Sequence, residues 1–156
     1  MMDTTRPAFR FDDAPVRWRP FKGFENLSFW VLGVNDARQQ VNLLFRFAPL
    51  ARCPIHRHVG PTDTFVLEGE HRTFGRAGTE WVLEEVRPPG VFSASEGNHL
   101  HFEQGGAAGA IIQLSMKAVD GVIWEVLNDD ISVASVATID DFRRVLDRQV
   151  AVPVAG

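Results

Sequence analysis

Several things that would decide a function class are missing from this sequence. There is one cysteine, Cys53, in 156 residues, so no disulfide can form within the chain and a reducing compartment suits it. There is no basic excess: 16 Lys and Arg stand against 20 Asp and Glu, a formal net charge of −4. Nothing is therefore available to neutralise a run of phosphates, and nucleic acid is not an expected partner. No apolar run approaches the ~18 residues of a membrane span. The opening residues, Met1-Met2-Asp3-Thr4-Thr5-Arg6-Pro7, lack the apolar stretch of a secretory signal. No membrane contact is expected, and the cytoplasm is the default location. Internal repeats, low-complexity stretches, a P-loop, a G-x-G-x-x-G fingerprint and a Ser/His/Asp arrangement are all absent as well.

What is present is ordinary for a folded domain: 45% hydrophobic and 23% charged residues. The length predicts one domain spanning residues 1–156, with an N-terminal arm over 1–15, a barrel over 16–136 and a helix over 138–149. Short apolar runs broken by Gly, Pro, Asn and Asp fill the middle. Leu27 to Val34 is one, and Val41 to Phe47 alternates with Val41, Leu43, Phe45 and Phe47 on one face. Further strand candidates are Thr64 to Leu67, His71 to Phe74, Thr79 to Val86, His99 to Glu103, Ala110 to Lys117 and Val122 to Leu127. Regular short strands of this kind predict an all-β sandwich or barrel. Near the end, Thr138 with Asp141 three positions on reads as a helix N-cap. Ile139, Phe142, Val145 and Leu146 then follow at helical spacing, a face for packing on the barrel.

The chemistry is concentrated in the histidines. Of five, His56 and His58 form one His-x-His pair, and His99 and His101 form another, leaving His71 alone. Random placement of that many histidines gives about 0.16 such pairs, so two exceed composition. Residues i and i+2 of a strand face one side, so each pair aims two imidazoles at one point. Two or three neutral imidazoles suit Fe, Ni, Cu or Zn. His99 and His101 are equivalent in this respect, and either serves as a third ligand.

Residues 56–69 read H-R-H-V-G-P-T-D-T-F-V-L-E-G. This resembles the first motif of the cupins: His-x-His, an acidic residue four or five positions on, then a glycine closing a hairpin. Pro88-Pro89-Gly90 through Gly97-Asn98-His99 resembles the second. The resemblance implies a small antiparallel β-barrel of jelly-roll type with one divalent transition metal inside, here with a C-terminal helix added. Within cupins, H-x-H-x-G-P followed by an acidic residue and F-x-x-x-G is similar to the acetylacetone-cleaving dioxygenases, which hold Fe(II) with three histidines. Dihydroxyacetophenone dioxygenases and the cupin domains of anti-sigma factors share the outline. The implied activity is therefore Fe(II)-dependent C–C cleavage of a small β-diketone or hydroxyketone-like substrate with O2. A non-catalytic module that binds a metal or a small ligand, and a metal-dependent isomerase or lyase, are the alternatives, with Zn or Ni as the other metals the site would take. Carried over to this chain, the ligands are His56, His58 and His99. Asp63 stands at the acidic position, five residues after His58, as a residue that orients a ligand histidine or as a fourth ligand. His101 and Glu103, on the same face as His99, are then expected to move protons or hold substrate. The family's habit of pairing through sheet edges implies a homodimer.

Other residues take plainer expectations. His71 reads as exposed, and Cys53 as a small buried apolar side chain. Arg46, Phe65 and Gln113 are candidate pocket residues, if Arg46 and Gln113 face inward to meet a carboxylate or carbonyl. Glu84-Glu85 reads as a solvated strand edge. Gly105-Gly106 with Gly109 reads as a turn between strands.

Overall fold

A computed structural model describes residues 10–151. Within them are ten strands and one helix, in the order β1 (Arg19–Phe21), β2 (Phe24–Asn35), β3 (Gln40–Phe47), β4 (His56–His58), β5 (Thr62–Ala77), β6 (Glu80–Arg87), β7 (Phe92–Ser95), β8 (His101–Lys117), β9 (Val122–Leu127), β10 (Val133–Thr138) and α1 (Ile139–Ala151). All strand pairs are antiparallel, running β1-β2-β3-β8-β4-β9-β10, with β5 on the other side of β8 and carrying β6 and β7. The sheet curls so that its inner face closes on one core. Val41, Leu43, Phe45 and Phe47 of β3 meet Ile112, Leu114 and Met116 of β8 there, all buried. That is the alternation seen in the sequence, with the odd residues of β3 inward.

Two expected breaks are not breaks. Gly69 does not close a hairpin, because β5 runs through it. Gly105–Gly109 is not a turn, because β8 runs through that as well. The two regions need each other. Gly69, at φ +76°, lies so close to Gly109 that a Cβ on it would stand 2.2 Å from the Gly109 carbonyl oxygen. The register shifts there, from Gly69 opposite Ala110 to His71 opposite Gly105, so a bulge absorbs the intervening glycines and alanines. Continuing β5 past Gly69 carries His71 and Thr73 into the interior instead of round an exposed turn.

The helix begins as expected. The Thr138 hydroxyl accepts a hydrogen bond from the Asp141 N–H at 3.2 Å, and the Asp141 carboxylate accepts one from the Thr138 N–H at 2.8 Å. Phe142 then packs edge-on against Trp124 of β9, ring centroids 5.1 Å apart. Gln149 holds the far end. Its amide accepts from the Val31 N–H at 3.0 Å and donates to the Val31 carbonyl at 2.9 Å, where β2 bulges at Leu32 and leaves that residue without a β3 partner. Residues 1–9 of the expected arm, and the tail after Ala151, lie outside the described residues.

Candidate metal centre

The strand register decides which histidines meet. β4 is only three residues long, and it lies between β8 and β9 with His56 directly opposite His101 and His58 opposite Trp124. His56, His58 and His101 therefore point inward together. Each offers a ring nitrogen within 4.8 Å of the other two, and all three are buried. Their ring centroids stand 5.0, 4.4 and 5.5 Å apart. The resemblance implies His99 for the third position, and the structure instead sets it at the rim of the polar recess beside the cluster. Gly97 (φ +100°) and Asn98 (φ +62°) turn the chain, and β8 begins only at His101, so the i, i+2 rule does not yet hold at His99. His99 instead stacks on the outer side of His101, at 5.2 Å between centroids, and its Nε2 meets Glu84 at 3.1 Å.

The hydrogen bonds fix the tautomers. His56 Nδ1 lies 2.8 Å from the Pro54 carbonyl, and His101 Nδ1 lies 2.8 Å from the His99 carbonyl. A carbonyl only accepts, so both Nδ1 atoms carry a proton, which leaves Nε2 as the nitrogen each ring can offer a metal. His58 Nδ1 is buried without a hydrogen-bond partner. Burial, then the charges of its histidine neighbours, hold the His58 imidazole well below its usual pKa. The same causes, burial and then His56, push His101 down to about 4. Buried imidazoles kept neutral, with lone pairs converging and one nitrogen unsatisfied, are the donor set that a divalent transition metal requires.

Glu103 is the carboxylate of this site. It lies two residues beyond His101 on β8, buried, with Oε2 3.5 Å from His56 Nε2. His71, fully buried rather than exposed, donates from Nε2 to Oε1 at 3.0 Å. Burial works to raise the Glu103 carboxyl, but the His71 hydrogen bond, and then the attraction between the carboxylate and any of its histidine neighbours that is protonated, hold it well below the usual carboxylate range. Cys53 adjoins it: the Glu103 N–H donates to Sγ at 3.1 Å, and the Cys53 N–H donates to the Glu103 carbonyl at 3.0 Å. Burial, then the Glu103 charge, pushes the thiol pKa up.

Four other expected site residues lie elsewhere. On β5 the inward residues are Thr62, Thr64 and Val66, so Asp63 points out and is exposed, and Phe65 sits on the outer face opposite Gln113. Gln113 bonds the Ser115 hydroxyl at 2.8 Å. Arg46 lies over the Trp18 ring at 4.6 Å and bonds Ser28 at 3.1 Å. Glu84 is not merely a solvated edge residue. It is the unpaired residue of a bulge between Thr73–Glu85 and Phe74–Leu83, which turns its carboxylate across Gly75 to His99.

The cluster has two unlike sides. Phe21, Phe45, Leu114, Trp124 and Val126 wall a cavity of about 30 Å³ that faces His56, His58, Cys53 and Glu103. Phe21, Trp124 and Val126 also border an open groove of about 500 Å³ beside α1. On the opposite side, Thr62, Thr64, Thr73, Ser93 and Ser95 line a polar recess of about 50 Å³ next to His58, His101 and Glu103. The inward direction of His71 follows from parity along β5 once that strand runs through Gly69, whereas Cys53 lies on the connection before β4 and is buried as expected.

Solved structures share this architecture. An RmlC-like cupin from Ralstonia eutropha is 16% identical, with a TM-score of 0.69 over 87% of this chain and 83% of its own. An acetylacetone dioxygenase from Acinetobacter johnsonii is 13% identical, with a TM-score of 0.68 over 95% of each chain. The anti-sigma factor ChrR of Rhodobacter sphaeroides, in its complex with SigE, is 20% identical, with a TM-score of 0.52 over 64% of this chain and 48% of that one. At these identities the likeness establishes the fold, a cupin-type antiparallel barrel with one C-terminal helix. No curated protein matches the sequence. No helix among the described residues is long and apolar enough to cross a membrane. The family model of the ChrR cupin-like domain matches residues 7–87, just over half of the sequence and inclusive of His56 and His58, and on that match the chain belongs to the ChrR cupin-like domain family of the cupin superfamily.

Proposed function

We propose that the protein is a metal-dependent dioxygenase that uses O2 to cleave a C–C bond in a small β-diketone or hydroxyketone-like substrate, with one Fe(II) per chain. The observation that carries this reading is the donor set: three buried imidazoles whose ring nitrogens converge, with no carboxylate among them, beside an apolar-walled cavity. His56, His58 and His101 hold the metal. When bound, a divalent cation there supplies Lewis acidity that makes a dicarbonyl C–H easier to ionise, and three protein donors leave it positions for other ligands. Glu103 accepts the released proton. His71 keeps the accepting oxygen aimed by bonding the other one. Phe21, Phe45, Leu114 and Trp124 exclude water from the reacting atoms. The likeness to an acetylacetone dioxygenase over 95% of each chain supports the assignment.

The test is element-resolved metal content of the wild type and of His56→Ala, followed by O2 uptake over a panel of β-diketones. About one iron per chain, lost in the variant, with O2 consumed in proportion to substrate cleaved, is the expected result. Undiminished metal in the variant refutes the site. The family match to the ChrR cupin-like domain favours a second reading, a non-catalytic binding module. Tightly held zinc with no O2 uptake on any diketone would select it.

A homodimer belongs to the same proposal. Among the described residues β6 is paired only to β5, and it exposes Val82, Leu83 and Val86 along an open edge. Light scattering that shows only the single-chain mass would exclude it.

A further inference from the structure

A second set of donors lies beside the three-histidine cluster. Cys53, His56 and Glu103 each offer a ligand atom within 4.8 Å of the other two, and all three are buried. They face one cavity together with His58. Cys53 Sγ stands 3.7 Å from Glu103 Oε2, and that oxygen stands 3.5 Å from His56 Nε2. A tetrahedral zinc with ordinary bond lengths has an S···O edge of about 3.6 Å and an N···O edge of about 3.4 Å. The backbone also suits a thiolate. The Glu103 N–H already donates to Sγ at 3.1 Å, and the reciprocal bond from Cys53 N–H to the Glu103 carbonyl fixes the two residues against each other. From the other side His71 anchors the carboxylate.

We infer that Cys53, His56 and Glu103 form a thiolate–imidazole–carboxylate site for a thiophilic divalent cation such as Zn(II) or Cd(II), sharing His56 with the three-histidine set. Binding replaces the S–H bond by an S–metal bond and releases one proton to solvent, with no change of oxidation state. Softness separates the two sets: an all-imidazole set takes Fe(II) and Zn(II) alike, whereas a thiolate adds a soft donor that draws Cd(II) most strongly and Zn(II) as well. Because one imidazole nitrogen cannot serve two ions, a cation in the sulfur-containing set takes His56 away from the other. Thiophilic metals thus act as competitors of the iron-loaded state. That competition rests on the function proposed above, but the sulfur-containing site itself does not.

The experiment uses the full chain and Cd(II) alone as probe. One equivalent should give the ultraviolet thiolate-to-cadmium charge-transfer band in the wild type and in His101→Ala. In Cys53→Ser the band should vanish and Cd(II) affinity fall at least tenfold. Cadmium-113 NMR of the wild type, which needs no variant, should show a sulfur-ligated shift. Cadmium bound without the band or the sulfur-ligated shift, no cadmium bound, or equal affinity in Cys53→Ser each overturns the inference. Fe(II) binding to wild type but not to His101→Ala tests the three-histidine reading separately. If Fe(II) fails to bind the wild type while the cadmium band persists, it is the proposed function that falls and not this site.

Discussion

Acid should destabilise the metal-free protein well above the pH at which its carboxylates titrate, and His101 sets the scale. In the unfolded chain its imidazole titrates near 6.5, and in the folded protein burial and then His56 push it down to about 4. Between these values the unfolded state binds more protons, so stability rises with pH across the window and is lost as pH falls through it. At pH 4.5 the penalty relative to pH 7 is roughly 2 to 3 kcal/mol from this one residue. His58 is displaced in the same direction by its own burial and by the neighbouring histidine charges, and so adds to the loss. Glu103 acts lower down. Its carboxyl is depressed, so its contribution is full above its unfolded pKa and disappears only as pH falls further. Urea unfolding at fixed intervals from pH 7 to 4.5 reads the effect. With an m-value of about 2 kcal/mol/M the midpoint should drop by roughly 1 M or more. His101→Gln keeps a neutral polar side chain, and its slope should be shallower by the His101 share. A midpoint flat over the window in the wild type, or an equal slope in His101→Gln, would refute the argument that these imidazoles are buried and neutral.

Two further outcomes follow from single buried contacts. His71→Ala strips the hydrogen bond from Glu103 and leaves an ionised carboxylate enclosed, which should cost about 3 kcal/mol or more in urea unfolding, with Glu103→Gln partly restoring stability in the double variant. Gln149→Leu leaves both the N–H and the carbonyl of Val31 unpaired at the β2 bulge, a loss of about 2 kcal/mol, and hydrogen exchange at the Val31 amide should accelerate.

How much of this could be read from the sequence turns on where alternation holds. The barrel, the helix with its Thr138 cap and the His56–His58 pair were legible because each depends on local periodicity or a local cap. The third histidine was not. Motif position favoured His99 for following the glycine turn, whereas the fold selects by cross-strand register, and that register places His101 opposite His56. One residue pair along the chain separates the two answers, because extended geometry starts only after Gly97 and Asn98 have spent their positive φ. The same parity explains the carboxylate. Asp63 occupies the position that family pattern marks, but Thr62 and Thr64 take the inner face of β5 and Asp63 is turned to solvent. The negative charge is supplied two residues after His101 instead, by Glu103. Glu103 was legible beside His101, because two residues on along a strand share a face, and the pairing that sets His101 against His56 brings that carboxylate to the cluster. His71 required one step more. Its inward direction depends on β5 continuing through Gly69, where a Cβ would stand 2.2 Å from the Gly109 carbonyl oxygen of β8, and on Gly106 of β8, where a Cβ would stand 2.7 Å from Glu70 Cβ. No property of residues 62–77 taken alone contains that fact. Side chains whose placement rests on a glycine fitting against a distant strand's backbone become visible only once the strands are paired.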